Sequence, residues 1–400
     1  DPARRGRDGP VYVTRPRNPI PLAAALVGAA SAAGIPAVDD LNGAVMEGPG
    51  GCGIPNITVQ GNNQRVSMAS AYLRPVMSRP NLQVLLQAVV QRVRFAGSRA
   101  SGVDFCHAGE SHRVWANNEV ILSLGAINTP KVLMLSGIGD ERELQRLGIP
   151  RIQHLPGVGK NFQDHILVAG CVWEYHTPEA PRNNSAEFTF FCKSDASLPT
   201  PDLQPVLEEC AFGSEMTRLD YALPANPALA WTLAPGLVRP HSRGHITLTG
   251  PRTQDRVAVH ANFLSERRDV VALLHAIELC RSIGNSPALR NFARREIMPG
   301  PLNAKDMEHW LRRASGTYFH QSGTAKMGRD AMSVTDGSLL VYGVQGLRVA
   351  DGSVMPSITT GNTMAPCVLI GERAADLCRR QHGISHTLRS NLPSASRNAL

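Results

Sequence analysis

Residues 119–139 read EVILSLGAINTPKVLMLSGIG. Val120, Ile121 and Leu122 make an unbroken apolar run, as in a strand of a parallel sheet covered on both faces. Gly125 follows, and a glycine at a strand's end lets the backbone approach a ligand closely. Asn128 or Thr129 suits a helix cap, Pro130 suits the first turn, and Gly137 suits the close after Leu135. The stretch predicts a strand, a turn and a helix at the carboxyl edge of a sheet, where α/β folds bind ligands. A second short helix is expected from Asp140 to Leu147, closed by Gly148.

A matching pattern lies near the other end. Leu347, Val349 and Ala350 predict a short buried strand that stops at Asp351-Gly352. Such an end suits a ribityl or phosphate chain. Residues 361–366, GNTMAP, predict a helix start capped by Asn362 or Thr363, with Pro366 in its first turn and Val368, Leu369, Ile370 and Leu377 on its buried side. The positive end of that helix lies beside Asn362 and stabilises negative charge developing on a ligand. Upstream of both sits His320 in YFHQSGTAKMG, residues 318–328.

Three blocks in this order resemble the glucose–methanol–choline (GMC) oxidoreductases. They are H-x-x-G-T-x-x-M-G at His320, G-L-R-V-x-D-x-S-x-M-P at Gly346, and G-N-T-x-A-P at Gly361. The stretch G-A-I-N-T-P-K-V-L-M-L-S-G-I-G from Gly125 resembles the second signature of the family. The resemblance implies FAD as cofactor, His320 as active-site base and Asn362 as its partner beside the flavin. It implies that Val90, Gly125, Asp351, Gly352, Asn362 and Thr363 line the FAD. Taken alone, Val90 reads rather as a core valine. The pairing of His with Asn is nearest to a choline dehydrogenase-like branch.

Composition bounds the alternatives. Four hundred residues exceed one small core and suggest two or three domains. Hydrophobic residues at 42% and charged residues at 18% fit a globular enzyme. The net charge is +8, yet the arginines are scattered and no basic block carries interleaved aromatics, which excludes a nucleic-acid partner. The apolar runs are too broken to span a bilayer, and no secretory signal opens the chain. The eight cysteines form no Cys-x-x-Cys and no zinc spacing, so free thiols are expected, without disulfide or metal. Location is expected to be cytoplasmic, with peripheral membrane association open.

Two apparent motifs fail on context. Gly48, Gly50 and Gly53 spell G-x-G-x-x-G, but Pro49 interrupts it, no apolar strand leads in, and no helix opens on the third glycine. Gly159-Lys160 lacks the phosphate-loop spacing, because position 154 is His. Asp164-His165 lacks a third metal ligand in register and reads as a hydrogen-bonded pair.

The expected fold is therefore an α/β flavin-binding domain of GMC type with an α+β antiparallel-sheet substrate domain. Its segments are 1–75 linker and substrate entrance, 76–165 flavin-domain segment, 166–316 substrate domain, 317–382 flavin-domain segment with the active site, and 383–400 disordered tail. Within these, Ile20 to Ala33 predicts a helix, residues 81–95 predict strands, and Val270 to Ile283 predicts a helix on the antiparallel sheet. Phe188 and Phe190 share one strand face, Thr189 and Phe191 the other, and the pattern leaves open which face lines the pocket. The family begins with a strand, a glycine-rich turn and a helix that hold the FAD pyrophosphate. No such unit is legible here, which suggests the carboxyl-terminal part of a longer enzyme. The implied reaction is oxidation of a primary alcohol to an aldehyde by hydride transfer to the flavin, with an acceptor, oxygen, quinone or other, left open. A homo-oligomer is open too. The alternatives are a lyase on the same fold and a non-catalytic fragment.

Overall fold

The computed structural model describes residues 5–61 and 64–384. The tail expected to be disordered from residue 383 lies almost wholly outside them.

One unit is built on a six-stranded antiparallel sheet, in the order Gly51–Gly53, Thr189–Phe191, Val206–Glu208, Ala230–Ala234, Val172–Tyr175 and Ala293–Met298. Helices Pro21–Ala32, Arg267–Gly284 and Ala304–Ala314 contribute to the same core. The first helix opens on proline, whose fixed φ suits a helix start, and is followed by Gly34 at φ +92. Its Leu22, Leu26, Ala29 and Ala30 recur at helical spacing and are buried. Trp173 and Trp231 face each other across the ladder and stack with centroids 4.5 Å apart. Gly284 lets the long helix lie against this pair, because a Cβ there would sit 2.1 Å from the Trp173 ring. Burying each large apolar side chain contributes roughly 1.5–3 kcal/mol. Segment 1–75 thus supplies a core helix and an edge strand to this unit.

The second unit holds the parallel pair Val120–Leu122 and Leu347–Val349. Against it pack helix Gly125–Leu135, part of helix Met364–Gln381, and the antiparallel strands Val89–Ala96, Arg99–His107 and Glu110–Trp115. Arg348 is fully buried and pairs with Glu119 at 3.1 Å, fixing the register of the parallel strands. A small antiparallel sheet, Gly236–Leu237, Ile166–Val168 and Ser315–Thr317, stands at the junction of the two units.

Four local expectations are corrected. The helix starts at Gly125, and Pro130 lies inside it. Proline cannot donate to the carbonyl four residues back, and that carbonyl, Ala126 O, accepts the Thr324 hydroxyl at 2.6 Å instead. Of residues 81–95, only those from Val89 onward form a strand; Leu85 and Leu86 are exposed with no sheet partner. Ile121 is 46% exposed, so its strand is covered on one face and open on the other. Leu369, expected on the buried side of its helix, is exposed, and Ala374 is that helix's buried residue.

Candidate active site

The site grows out of the junction sheet. Ile166 pairs with Thr317, so Asp164 and His165 just before one strand meet Tyr318, Phe319 and His320 just after the other. Asp164 is 1% exposed and acts as the anchor. Its carboxylate accepts the Thr317 hydroxyl at 2.5 Å, the His320 backbone N–H at 2.9 Å and the Gln321 amide at 3.1 Å. Burial pushes its pKa up, and these hydrogen bonds oppose the rise. Between the anchored points, Phe319 takes the left-handed conformation at φ +62 and donates its N–H to the Thr317 hydroxyl. A non-glycine residue there is strained, and such strain gathers at functional loops.

The strained turn presents the His320 ring. His320 Nδ1 lies 3.0 Å from His165 Nδ1, and His165 Nε2 lies 3.0 Å from the Thr359 carbonyl oxygen. On the other side, His320 Nε2 lies 3.2 Å from Asn362 Nδ2, and Asn362 Oδ1 accepts the Gln204 amide at 3.1 Å. Burial holds the His320 pKa down to about 4. His165 is held down to about 3, first by burial and then by the charge His320 would carry. Both rings are neutral near pH 7, the state a proton acceptor needs. The Tyr318 ring packs beside His320 with centroids 5.0 Å apart.

One carboxylate lies on the wall of this region. Val206 and Glu208 share a strand face; Val206 packs in the small cluster that includes Tyr318. Among the described residues, the Glu208 carboxylate has no hydrogen-bond or ion-pair partner. Burial, then the neighbouring Glu209, raises its pKa to about 7. Its charge is also felt at Tyr318, whose hydroxyl pKa is raised mainly by burial.

The other expected residues gather at the ends of the parallel strands. Gly125 has φ +77, with open space where a side chain would stand. Its N–H donates to Asp351 at 3.0 Å, the Thr129 hydroxyl donates to the same oxygen at 2.6 Å, and Ser353 N–H donates to the other at 2.8 Å. Gly352 is buried, and a Cβ there would make a tight contact of 3.3 Å with Cys367 Sγ. Thr363 occupies the cap position of helix Met364–Gln381 without a side-chain bond to its backbone, and Asn362 faces His320 instead of capping. Val90 lines a cleft of about 490 Å³ with Trp115, Ile121, Leu122 and Leu124. Phe188 and Phe190 lie in the core, whereas Phe191 faces Gly361. All eight cysteines are free, and no cluster of metal-ligating side chains occurs among the described residues.

Comparison with known proteins places this geometry. Residues 3–167 and 240–371 match the two family models described as GMC oxidoreductase. A choline dehydrogenase from Klebsiella pneumoniae, described as oxygen-dependent, is 36% identical across 94% of this chain and 71% of its own length. The chain belongs to the GMC oxidoreductase family. The mitochondrial choline dehydrogenase of Mus musculus is 36% identical over 94% of the chain, and the chain spans 66% of that relative's length. Pyridoxine 4-oxidase, with a TM-score of 0.87 and 29% identity, is similar in structure over 95% of this chain and 73% of its own. A formate oxidase at 24% identity shares the fold, with a TM-score of 0.83 over 94% of this chain and 74% of its own.

GMC oxidoreductases are FAD-binding flavoproteins. The residues present fit the aromatic part of FAD. The cleft beside Val90 is apolar, Gly125 leaves its approach open, and Asn362 stands at a helix start. The Asp351 carboxylate is engaged by three protein donors at the ends of the parallel strands. His165, Asp164, Gln204 and Glu208 were not singled out as site residues by sequence. The only available signal was the adjacency of Asp164 and His165, which reads as a pair and instead reaches the His320 loop at two separate points.

Among the described residues, no helix is long and apolar enough to cross a membrane.

Proposed function

We propose that the full-length protein is an FAD-dependent dehydrogenase or oxidase of a primary alcohol, and that its substrate is a choline-like cationic alcohol. The observation that carries the first part is the neutral His320 ring with Asn362 at its Nε2 edge. In this reading His320 takes the hydroxyl proton at Nε2, and Asn362 holds the substrate oxygen by its amide N–H. Val90, Gly125, Asp351, Gly352, Asn362 and Thr363 would hold FAD. Bound FAD supplies the hydride acceptor. Asp164 keeps the loop rigid, so the base does not have to be ordered at each turnover.

The second part rests on Glu208 and on the relatives. A partly buried carboxylate without a partner is costly, and a cationic substrate would relieve it. The named relatives at 36% identity are choline dehydrogenases.

The decisive experiment is His320→Ala in the full-length enzyme. Turnover is expected to fall by about 10²–10⁴-fold, the usual contribution of a positioned base. Near wild-type turnover would remove His320 from the mechanism. For the substrate class, choline is compared with its neutral isostere 3,3-dimethylbutan-1-ol. Glu208→Gln is expected to raise KM for choline at least tenfold and leave the neutral alcohol unchanged; equal effects on both would overturn the assignment.

A further inference from the structure

We propose that His165 is a positioning residue that holds His320 in one tautomer, Nδ1 protonated and Nε2 bare. The inference rests on the proposed role of His320. It follows from four consecutive contacts whose direction is set at one end.

The fixed end is the Thr359 carbonyl oxygen, which can only accept. His165 Nε2 lies 3.0 Å from it and so carries the proton. His165 is fully buried, which favours the neutral ring, and a neutral ring with a proton on Nε2 offers a lone pair at Nδ1. That lone pair faces His320 Nδ1 at 3.0 Å. Two facing lone pairs at this distance would repel, so His320 Nδ1 carries the proton and donates. His320 Nε2 is then bare. Asn362 must present its N–H group to Nε2, at 3.2 Å, and its oxygen away from it. The oxygen meets the Gln204 amide nitrogen at 3.1 Å.

Every donation therefore runs the same way, from Gln204 to Asn362 to His320 to His165 to Thr359. Such chains polarise each bond in the same sense. The chain leaves one buried acceptor, Gln204 Oε1, with no partner among the described residues. Reversing any link would put donor against donor or lone pair against lone pair. The consequence for chemistry is specific. A base needs a bare nitrogen aimed at the substrate, and the opposite tautomer would present an N–H there. The role of His165 is thus carried through His320, with no contact to substrate required.

The test uses the full-length enzyme with histidine labelled by ¹⁵N. Two-bond nitrogen–proton correlations identify the tautomer of each ring, and the His320→Gln spectrum assigns the His320 signals. The wild type is expected to show His320 protonated at Nδ1 alone. A His320 protonated at Nε2 would overturn the proposal, whatever the variants do. His165→Leu removes the acceptor and is expected to give a mixture of tautomers, with kcat lowered ten- to a hundredfold and KM little changed. His165→Asn, whose amide oxygen can accept from Nδ1, is expected to restore the tautomer and most of kcat. A His165→Leu enzyme with wild-type tautomer and kcat would also overturn it. If His165→Leu does not fold, the wild-type and His165→Asn spectra still decide. The spectrum does not depend on turnover. Failure of His320 as the base would appear as an active His320→Ala enzyme, while the tautomer remains separately measured.

Discussion

Asp351→Asn separates two roles for a residue at the centre of the flavin-type unit. Asparagine keeps the shape and loses the charge. In the structure one carboxylate oxygen accepts from Gly125 N–H at 3.0 Å and from Thr129 hydroxyl at 2.6 Å, and the other accepts from Ser353 N–H at 2.8 Å. The amide oxygen of asparagine can serve only one side. If it keeps Ser353, its NH₂ group faces Gly125 N–H, and two donors oppose each other. The Thr129 hydroxyl can rotate and accept, but the backbone N–H cannot. The change therefore removes charge-assisted bonds to two donors, each worth about 1.5–3 kcal/mol, with partial recovery at Thr129. It also removes a negative charge at the start of helix Gly125–Leu135, worth about 0.3–1 kcal/mol. The expected destabilisation is about 3 kcal/mol, read from equilibrium urea unfolding of the full-length enzyme. Thr129→Val, which deletes one donor and leaves the charge, is expected to lose about 1 kcal/mol. If Asp351→Asn unfolds within 0.5 kcal/mol (~ the error of a surface substitution) of wild type yet loses FAD, the carboxylate acts on the cofactor and the structural argument fails.

Three further outcomes are expected. Asn362→Ala should lower turnover by roughly 10–10³-fold, the scale of a lost transition-state donor; unchanged turnover per folded molecule would leave it no catalytic part. Glu208 retains its proton in the folded state up to about pH 7, whereas in the unfolded chain it releases it near the ordinary value of 4.5. The folded state therefore binds more protons between these values, and stability contributed by neutral Glu208 is lost as pH rises through that window. About 3 kcal/mol should be lost between pH 4.5 and 8, and Glu208→Gln should remove that part of the dependence; equal unfolding free energies at the two pH values, read from urea titrations, refute the assignment. Finally, this chain expressed by itself should self-associate, because Leu86, Ile121 and Leu369 leave apolar surface open on the flavin-type unit. A concentration-independent monomer in light scattering would show otherwise.

The parts legible in sequence are those whose signal is local. Val120 to Leu122, Gly125 and the helix behind them follow from an apolar run and a glycine. The place of Pro130 did not follow, because the hydroxyl that makes it tolerable comes from Thr324, 198 residues away. The pairing of His320 with Asn362 was implied by family resemblance, and the two side chains stand 3.2 Å apart. His165 and Gln204 were not legible as members of that group. Each reaches it from a separate segment, and neither has a neighbour in sequence that betrays the direction of its side chain. The strand pattern placed Phe188 with Phe190 but could not say which face was core, since both faces of that strand are buried.

The edge strand Gly51–Gly53 has a consequence for how the molecule is made. It pairs with Thr189–Phe191, and helix Pro21–Ala32 packs in the same core. The whole intervening stretch, which includes the strand Val120–Leu122 of the other unit, must be looped out before this contact can close. Contacts so distant in sequence are entropically slow to form. A chain begun at residue 166 would leave Thr189–Phe191 as a bare edge and the seat of the first helix empty, inviting association with other chains. The two units are interleaved along the sequence, so neither can be cut out as a continuous piece. Synthesis from the ribosome would hold the first helix and edge strand waiting, exposed, until the later strands of their sheet emerge.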